Sequence, residues 1–173
     1  RGDASTEHTT YIMVRLTLVL ATLPLSQGHG LVASTVARST EDDQSPARSY
    51  HLHVQFVAGA TASTDRALRL RRAYAARWGN KTCTGLFDQP GLCLYPVDHA
   101  PNGPFIAGNW AAYVPTETYE AVLAWITRRR GDLSIIFHPN SGHVVHDHFR
   151  YATWVGRPWP LNVEPLLWSG KDP

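Results

Sequence analysis

Residues 50–57, Tyr-His-Leu-His-Val-Gln-Phe-Val, alternate between apolar and polar side chains. A two-residue period is typical of a strand with one buried face, because successive side chains of a strand point to opposite faces of the sheet. The apolar members that share the core face are Leu52, Val54 and Phe56. His51 and His53 leave the other face together, so this strand presents two imidazoles on one side.

Hydrophobic periodicity predicts helices and further strands after this segment. Apolar residues at three- and four-residue spacing indicate helices over residues 63–78 and 116–130. The further predicted strands cover residues 109–114, 133–137 and 151–155, with short strand-like stretches within 82–96. The order strand–helix–strand–strand–helix–strand is the split βαβ pattern of a ferredoxin-like α+β fold. Both helices are expected to cover one face of the sheet and to leave the histidine face open.

Four of the nine histidines lie in residues 138–148, His-Pro-Asn-Ser-Gly-His-Val-Val-His-Asp-His. The turn-forming residues after His138 predict that it ends a strand and that the chain then reverses. Side chains at a strand end are held by a rigid sheet and are well placed for function. Because neutral imidazole is a ligand for iron, zinc and copper, the two histidine groups together predict a metal site. Taken alone, His-x-His is more typical of a half-exposed strand, and an incidental surface cluster is the alternative for residues 138–148.

Several motifs resemble those of the DOPA 4,5-dioxygenase-like family. Residues 50–56 look like its opening strand, and residues 130–134, Arg-Gly-Asp-Leu-Ser, are similar to its Arg-Gly-x-Leu-Ser run. Its His-Pro-x-Thr-Gly…Asp-His…Trp-x-Gly signature is matched by His138-Pro139-Asn140-Ser141-Gly142, Asp147-His148 and Trp154-Val155-Gly156, with Ser141 in place of the threonine. The resemblance covers about residues 50–161.

The resemblance implies a ferredoxin-like fold, a non-haem Fe(II) centre and opening of the ring of DOPA or a related catechol by dioxygen. The implied metal ligands are His51, His138 and His148. In this interpretation His53 is a fourth ligand or the catalytic acid/base, and His99 is the second candidate for acid/base. Asp147 is expected to orient a ligand from outside the coordination sphere, and zinc is an alternative metal.

Composition and the ends of the chain favour an exported small domain. The chain has 173 residues and a net charge of +2, without the basic patch interleaved with aromatic residues that nucleic-acid binding requires. Met13-Val14-Arg15 precedes an apolar run that ends at Leu25, which is the pattern of a secretory signal peptide. This run is too short to span a bilayer, which takes roughly 20 apolar residues, so no membrane association is expected after cleavage.

The predicted organisation has four parts. They are an upstream segment with the signal peptide at 1–34, a flexible linker at 35–49, the folded domain at 50–161 and a C-terminal tail at 162–173. Cys83 and Cys93 are the only cysteines, and an even count in a secreted chain predicts a disulfide, with a redox-active pair or half a zinc site as alternatives. Asn80-Lys81-Thr82 is an N-glycosylation sequon.

Two other functions fit the same residues. A secreted metal- or small-molecule-binding module would keep the fold without turnover, and a zinc hydrolase would use the same histidines. The hydrolase is disfavoured because no Glu sits beside a histidine pair. Oxygen uptake with a catechol separates the dioxygenase from the binding module, and metal analysis separates iron from zinc. The sequence is compatible with a monomer and with a homodimer.

Overall fold

The computed structural model describes residues 47–168, so the predicted signal peptide and most of the predicted linker lie outside the described residues. Within this range the elements are β1 (Ser49–Phe56), α1 (Thr61–Trp78), β2 (Cys93–Leu94), β3 (Gly108–Pro115), α2 (Tyr119–Thr127), β4 (Ser134–Pro139), α3 (Val144–Phe149), β5 (Thr153–Val155) and α4 (Glu164–Leu167). A short 3-10 helix at Thr116–Thr118 leads into α2. No helix in this part of the chain is long and apolar enough to cross a bilayer.

The strands form one sheet in the order β2-β3-β1-β4-β5, and every neighbouring pair is antiparallel. The helix α1 connects β1 to β2, but β3 lies between these two strands, so the βαβ unit is split. The helix α2 connects β3 to β4 in the same way across β1. The ferredoxin-like α+β prediction is therefore confirmed, with β5 as an additional edge strand.

The core lies between one face of the sheet and the helices α1 and α2. Its buried side chains include Leu52, Val54, Phe56, Ala67, Leu70, Tyr74, Trp110, Val122, Ile126, Ile135 and Phe137. The indole Nε1 of Trp110 donates a hydrogen bond of 2.9 Å to the Ala67 carbonyl, which ties α1 to the middle of the sheet. The alternation predicted for β1 and the apolar stripes of both helices account for this core.

The other face of the sheet is covered, contrary to the expectation that it would be open. Apolar side chains on this face are buried, among them Ala111, Tyr113 and Ile136. The cover comes from the connection between α1 and β3, which supplies Leu86, Phe87, Tyr95 and Phe105, and from α3 and α4. A long connection has no helical or strand period of its own, so the sequence pattern did not indicate this role. The candidate site is consequently a pocket that the cover walls in on several sides.

Several element boundaries also differ from the prediction. The second helix ends at Thr127 instead of residue 130, and the Arg130 side chain donates to the carbonyls of Gly131 and Leu133. Strand β1 begins at Ser49, one residue inside the predicted linker, and α4 lies inside the predicted tail. Residues 144–149 form the helix α3, whereas a loop was expected there.

The Arg130 contact joins two motifs of the sequence. A Cβ added at Gly156 would lie 2.8 Å from the Arg130 guanidinium, and Gly156 has a φ of +102°. Both the close approach and the left-handed backbone conformation favour glycine at this position. The Arg-Gly-x-Leu-Ser and Trp-x-Gly segments thus pack on each other and act on the fold, away from the histidines.

Candidate metal centre

The register of β1 with its neighbours brings three histidines together. His51 lies directly opposite His138 on β4, and His53 lies two residues further along the same face of β1. The Nε2 atoms of His53 and His138 are 3.2 Å apart. Each of these three histidines offers one ring nitrogen, and the three nitrogens all lie within 4.8 Å of one another. The prediction that these side chains share one face and one site is confirmed by their geometry.

Each histidine of this group bonds to an oxygen atom through one of its ring nitrogens. The bonds join His51 Nε2 to Leu86 O at 2.8 Å, His53 Nδ1 to Asn109 Oδ1 at 3.3 Å and His138 Nδ1 to Pro139 O at 2.9 Å. A carbonyl oxygen only accepts, so in the neutral ring each of these nitrogens carries the hydrogen. The lone pairs are then on His51 Nδ1, His53 Nε2 and His138 Nε2. Metal-ligating histidines are typically held in this way.

The separation of the ring nitrogens and the protonation state of the rings suit a metal ion. Two nitrogens that are each about 2.1 Å from one ion, at an angle of about 100°, are about 3.2 Å apart. The Nε2 atoms of His53 and His138 have that separation, and a cation between them would relieve the repulsion of the two facing lone pairs. Burial lowers the pKa of His51 to about 4, and burial with the neighbouring histidines lowers the pKa of His53 and His138 well below the usual value. At neutral pH all three rings are therefore unprotonated, as ligands must be.

His148 lies beside this group on α3. Its ring centroid is 3.8 Å from that of His138 and 6.4 Å from that of His53. Its Nδ1 donates a hydrogen bond of 2.8 Å to the Val144 carbonyl, one helical turn earlier. The structure therefore places His53, which the sequence interpretation took as a fourth ligand or the acid/base, in one group with His51 and His138. It places His148, which that interpretation took as a ligand, beside the group. His148 borders the same cavity from the helix side.

His99 is placed away from the cluster. Its side chain is exposed, and its ring centroid is 6.3 Å from that of Phe56, whose side chain faces the helices on the other side of the sheet. His99 is not among the residues that line the cavity. The structure therefore places His99, the second acid/base candidate, away from the histidine group.

The histidines open into a cavity of about 510 Å³. This volume is in the range of small-molecule sites, about 300–1,000 Å³. Apolar side chains form much of the wall: Leu86, Phe87, Pro104, Phe105, Val144 and Leu166. The Phe87 ring is nearly parallel to that of His51 at a centroid distance of 5.8 Å, and the Phe105 ring is 4.2 Å from that of His53. The cavity thus combines a polar floor of histidines with walls suited to a planar ring.

Asp147 anchors the turn after His138. Its two carboxylate oxygens accept hydrogen bonds from the Ser141 hydroxyl at 2.6 Å and the Ser141 backbone N–H at 3.0 Å. Burial raises the pKa of this carboxyl, although the hydrogen bonds from Ser141 and Gly142 act in the opposite direction. Asp147 therefore acts on the site through the turn between β4 and α3, and the serine that replaces threonine in the motif keeps the required hydroxyl.

A disulfide closes the loop that contacts His51. Cys83 and Cys93 are bonded, with a Cα–Cα distance of 5.1 Å, and Cys93 belongs to β2. The loop that they close carries Leu86 and Phe87, which supply the carbonyl and the ring packed on His51. Asn80 of the sequon is exposed just after α1, where a glycan has access.

Sequence reasoning missed the residues that hydrogen-bond to the histidine rings or to the partners of those rings. Asn109 was recognised only as part of a strand, yet β3 pairs with β1 so that Asn109 lies opposite Gln55 on the histidine face. The alternation of β3 was a usable signal, because Trp110, Ala112 and Val114 are core residues and their neighbours must point the other way. Leu86, Tyr95 and Asp98 gave no such signal, since they lie in irregular chain.

Comparisons with known proteins agree with this geometry. Residues 50–165 match the model of the Dopa 4,5-dioxygenase family. The chain is 31% identical over 119 residues to a DOPA 4,5-dioxygenase of Amanita muscaria, an alignment that covers 69% of this chain and 50% of that protein, so the chain spans about half the length of this curated relative. A crystal structure from Nostoc punctiforme, described as a "putative dioxygenase", superposes with a TM-score of 0.58 and 29% identity over 70% of this chain and 92% of that one. Because the family model covers most of the chain and the site residues lie within it, the chain belongs to the Dopa 4,5-dioxygenase family.

Proposed function

We propose that the protein is a metal-dependent extradiol dioxygenase that opens the ring of DOPA or a related catechol with dioxygen. The observation that carries this proposal is the group of three histidines at the floor of a ring-sized cavity, in a chain of the Dopa 4,5-dioxygenase family. In the reaction the bond between one hydroxylated ring carbon and its unhydroxylated neighbour breaks. Both oxygen atoms of dioxygen enter the product, which becomes an open-chain aldehyde and carboxylate.

We assign His51, His53 and His138 as the ligands of a ferrous ion. Iron would supply the redox chemistry that lets triplet dioxygen react with a singlet ring. The three neutral rings occupy one side of the site and leave the cavity side open for small molecules. Nitrogen ligands alone are also suitable for zinc, so the nature of the metal is part of the proposal.

His148 is the proposed proton carrier. Its Nδ1 hydrogen is held by the Val144 carbonyl, so the neutral ring takes up a proton at Nε2. Since its ring borders the cavity beside His138, it lies where a catechol hydroxyl would reach it. It takes the hydroxyl proton as the catechol enters and returns a proton to the opened product. In the sequence interpretation His53 and His99 are the candidates for this role.

The cavity walls orient the ring and limit water. Phe87 and Phe105 approach the histidine group from different elements of the cover, and aromatic rings favour stacked or edge-on contact with a planar substrate. The covering connection, α3 and α4 shield part of the face that was expected to be open. Exclusion of water strengthens the electrostatic interactions inside the site.

The decisive experiment starts with metal-free protein loaded with ferrous iron under anaerobic conditions. After addition of DOPA or unsubstituted catechol, admission of air should give oxygen uptake in a one-to-one ratio with a yellow ring-opened product. His148→Gln should retain iron and slow turnover by about 10²–10⁴-fold, the usual weight of general acid–base catalysis. His53→Gln should lose both iron and turnover.

His143→Gln is the matched control, because His143 belongs to the same segment but does not line the cavity. It should behave as the wild type. If iron-loaded protein binds catechols and leaves oxygen untouched, the dioxygenase proposal fails. If the protein retains zinc and rejects iron, the assignment of the metal fails.

We also propose that the protein is exported. The bond between Cys83 and Cys93 supports this, because disulfides persist mainly in oxidising compartments. Intact-mass analysis of protein from the medium of the producing cells should show a chain shortened to a start between about residues 26 and 38, without alkylatable thiols. A full-length intracellular product with two free cysteines would contradict the proposal.

A further inference from the structure

His53 differs from His51, His138 and His148 in the group that accepts the hydrogen bond of its ring. One ring nitrogen of each of His51, His138 and His148 bonds to a backbone carbonyl, which is always an acceptor. His53 instead bonds to the side-chain amide of Asn109. An amide has a donor end and an acceptor end of nearly the same shape, so by itself it would suit either tautomer of the imidazole.

The orientation of the Asn109 amide is set by Asp98. The Asn109 Nδ2 donates a hydrogen bond of 3.1 Å to Asp98 Oδ2, and the second carboxylate oxygen accepts from Asn102 Nδ2 at 2.9 Å. Two backbone hydrogen bonds of 2.9 Å link Asp98 and Asn109 in an antiparallel bridge, which fixes the two side chains relative to each other. Asn109 is buried, so water does not compete for its amide.

The hydrogen-bonding rules then leave one arrangement. A carboxylate only accepts, so Asn109 must turn its NH₂ group toward Asp98 and its oxygen toward His53. The amide oxygen also only accepts, so His53 Nδ1 must carry the hydrogen. In the neutral ring the lone pair is consequently on Nε2, the atom that lies 3.2 Å from His138 Nε2.

We propose that Asp98, acting through Asn109, is a positioning residue that fixes the tautomer of His53 and so presents its Nε2 as a metal ligand. This inference rests on the metal site of the proposed function, but it makes a separate claim about the metal-free protein. Asp98 stands at the far end of this series of hydrogen bonds, and it sets the tautomer of a ring that it does not contact.

Asp98→Asn tests the claim because it keeps the shape and changes the pattern of donors. The new Asn side chain keeps its oxygen toward Asn102 and presents NH₂ to Asn109. The Asn109 amide then turns its oxygen away from His53 and its NH₂ toward it. His53 Nδ1 becomes an acceptor and the hydrogen moves to Nε2. Affinity for Zn²⁺ or Co²⁺, measured by chelator competition, should fall about 10–100-fold, the usual effect of losing an outer hydrogen-bond partner.

The double exchange Asp98→Asn with Asn109→Asp is the sharper test. The new carboxylate at position 109 accepts from His53 Nδ1 on one side and from the new amide at position 98 on the other. The original tautomer is restored, and so metal affinity should return to within a few-fold of the wild type. Asn109→Asp alone places two carboxylates side by side and should weaken binding. A merely structural role for the pair would make the double variant at least as defective as either single one.

The tautomer itself is read from ¹⁵N chemical shifts of the His53 ring in the metal-free protein. The wild type and the double variant should show hydrogen on Nδ1, and Asp98→Asn should show hydrogen on Nε2. Asp88→Asn, an exposed change at a position with a φ of 57° that Asn tolerates, is the matched control and should leave tautomer and affinity unchanged.

The inference is overturned if folded Asp98→Asn protein keeps hydrogen on Nδ1, or if the double variant fails to restore the affinity. These results are independent of turnover, so they are distinguishable from failure of the dioxygenase proposal. If the wild type binds no metal, the proposed metal site fails, and the ring shifts still decide whether Asp98 sets the tautomer.

Discussion

The two faces of the sheet are built by the same strands and have opposite properties. On the helix side, β1 contributes Leu52, Val54 and Phe56 to an apolar cluster that is closed to solvent. On the other side, the intervening residues of β1 contribute His51 and His53 to a polar group beside a cavity. One face supplies the free energy of folding through burial of apolar surface, and the other carries chemistry.

The difference between the faces shows how a small domain offsets the free-energy cost of burying polar histidine rings. Buried polar groups need hydrogen-bond partners, and each ring of the histidine group has an oxygen partner. The rigid apolar face holds the strands at the register that brings the rings together. Changes on the two faces should therefore separate stability from metal binding.

The largest expected effect is the loss of metal from His138→Ala. This change removes one of three ligands, so metal affinity should fall by more than the 10–100-fold typical of an outer partner, and turnover should be lost with it. Metal content after dialysis and oxygen uptake measure the two effects. Retention of stoichiometric iron in the folded variant would contradict the ligand assignment.

Two adjacent isoleucines of β4 compare the faces directly. Ile135 belongs to the apolar cluster, whereas Ile136 faces the other way and lies opposite His53, and both are fully buried. Replacement of either by Ala should lower the free energy of unfolding by about 2–5 kcal/mol, because each leaves a cavity. Ile136→Ala alone should also lower metal affinity several-fold, since His53 loses its neighbour.

Urea unfolding gives the stability of both isoleucine variants, and chelator competition gives their metal affinity. Equal metal affinities in the two variants would show that the faces are more tightly coupled than we infer.

The pH dependence of the metal-free protein is the next effect in size. Burial lowers the pKa of His51 to about 4, and burial with the neighbouring histidines lowers the pKa of His53 and His138 well below the usual value of 6.5. The unfolded chain then binds more protons than the folded one below pH 6.5. Stability should therefore be complete above that value and fall as the pH falls, by up to about 1.4 kcal/mol per pH unit for each histidine.

Urea unfolding between pH 7 and 5 in the presence of a chelator measures this slope. His51→Gln should reduce the slope by about one proton, since that side chain no longer titrates. A slope unchanged in this variant would mean that His51 is protonated in the folded protein.

The smallest expected effect comes from His99→Gln. His99 lies next to Phe56 on the helix side and outside the cavity, so its replacement should leave metal affinity and turnover within about twofold of the wild type. A large loss of turnover with normal stability would restore the role that the sequence interpretation gave to this residue. An exposed side chain usually changes stability by less than about 0.5 kcal/mol.

Much of the fold was predictable because its signals are local. The alternation of β1 and the stripes of α1 and α2 are repeated over consecutive residues, and each repeat indicates which side chains must be buried. The same alternation predicted that His51 and His53 share a face. With two cysteines in the chain, one disulfide was possible, and the structure contains it.

The sequence by itself determined the long strands, the helices α1 and α2, the two faces of β1 and the histidines from which the site is built. Only the tertiary structure decided that the ring of His53 groups with those of His51 and His138, that His148 lies beside this group and that His99 lies away from it. It also decided that Asn109 bonds to His53 and Asp98 to Asn109. The physical reason is that strand register and the path of the long connection depend on contacts between residues far apart in the chain. A slip of one residue between β1 and β4 would send one set of histidines to the opposite face, and no local period specifies against it.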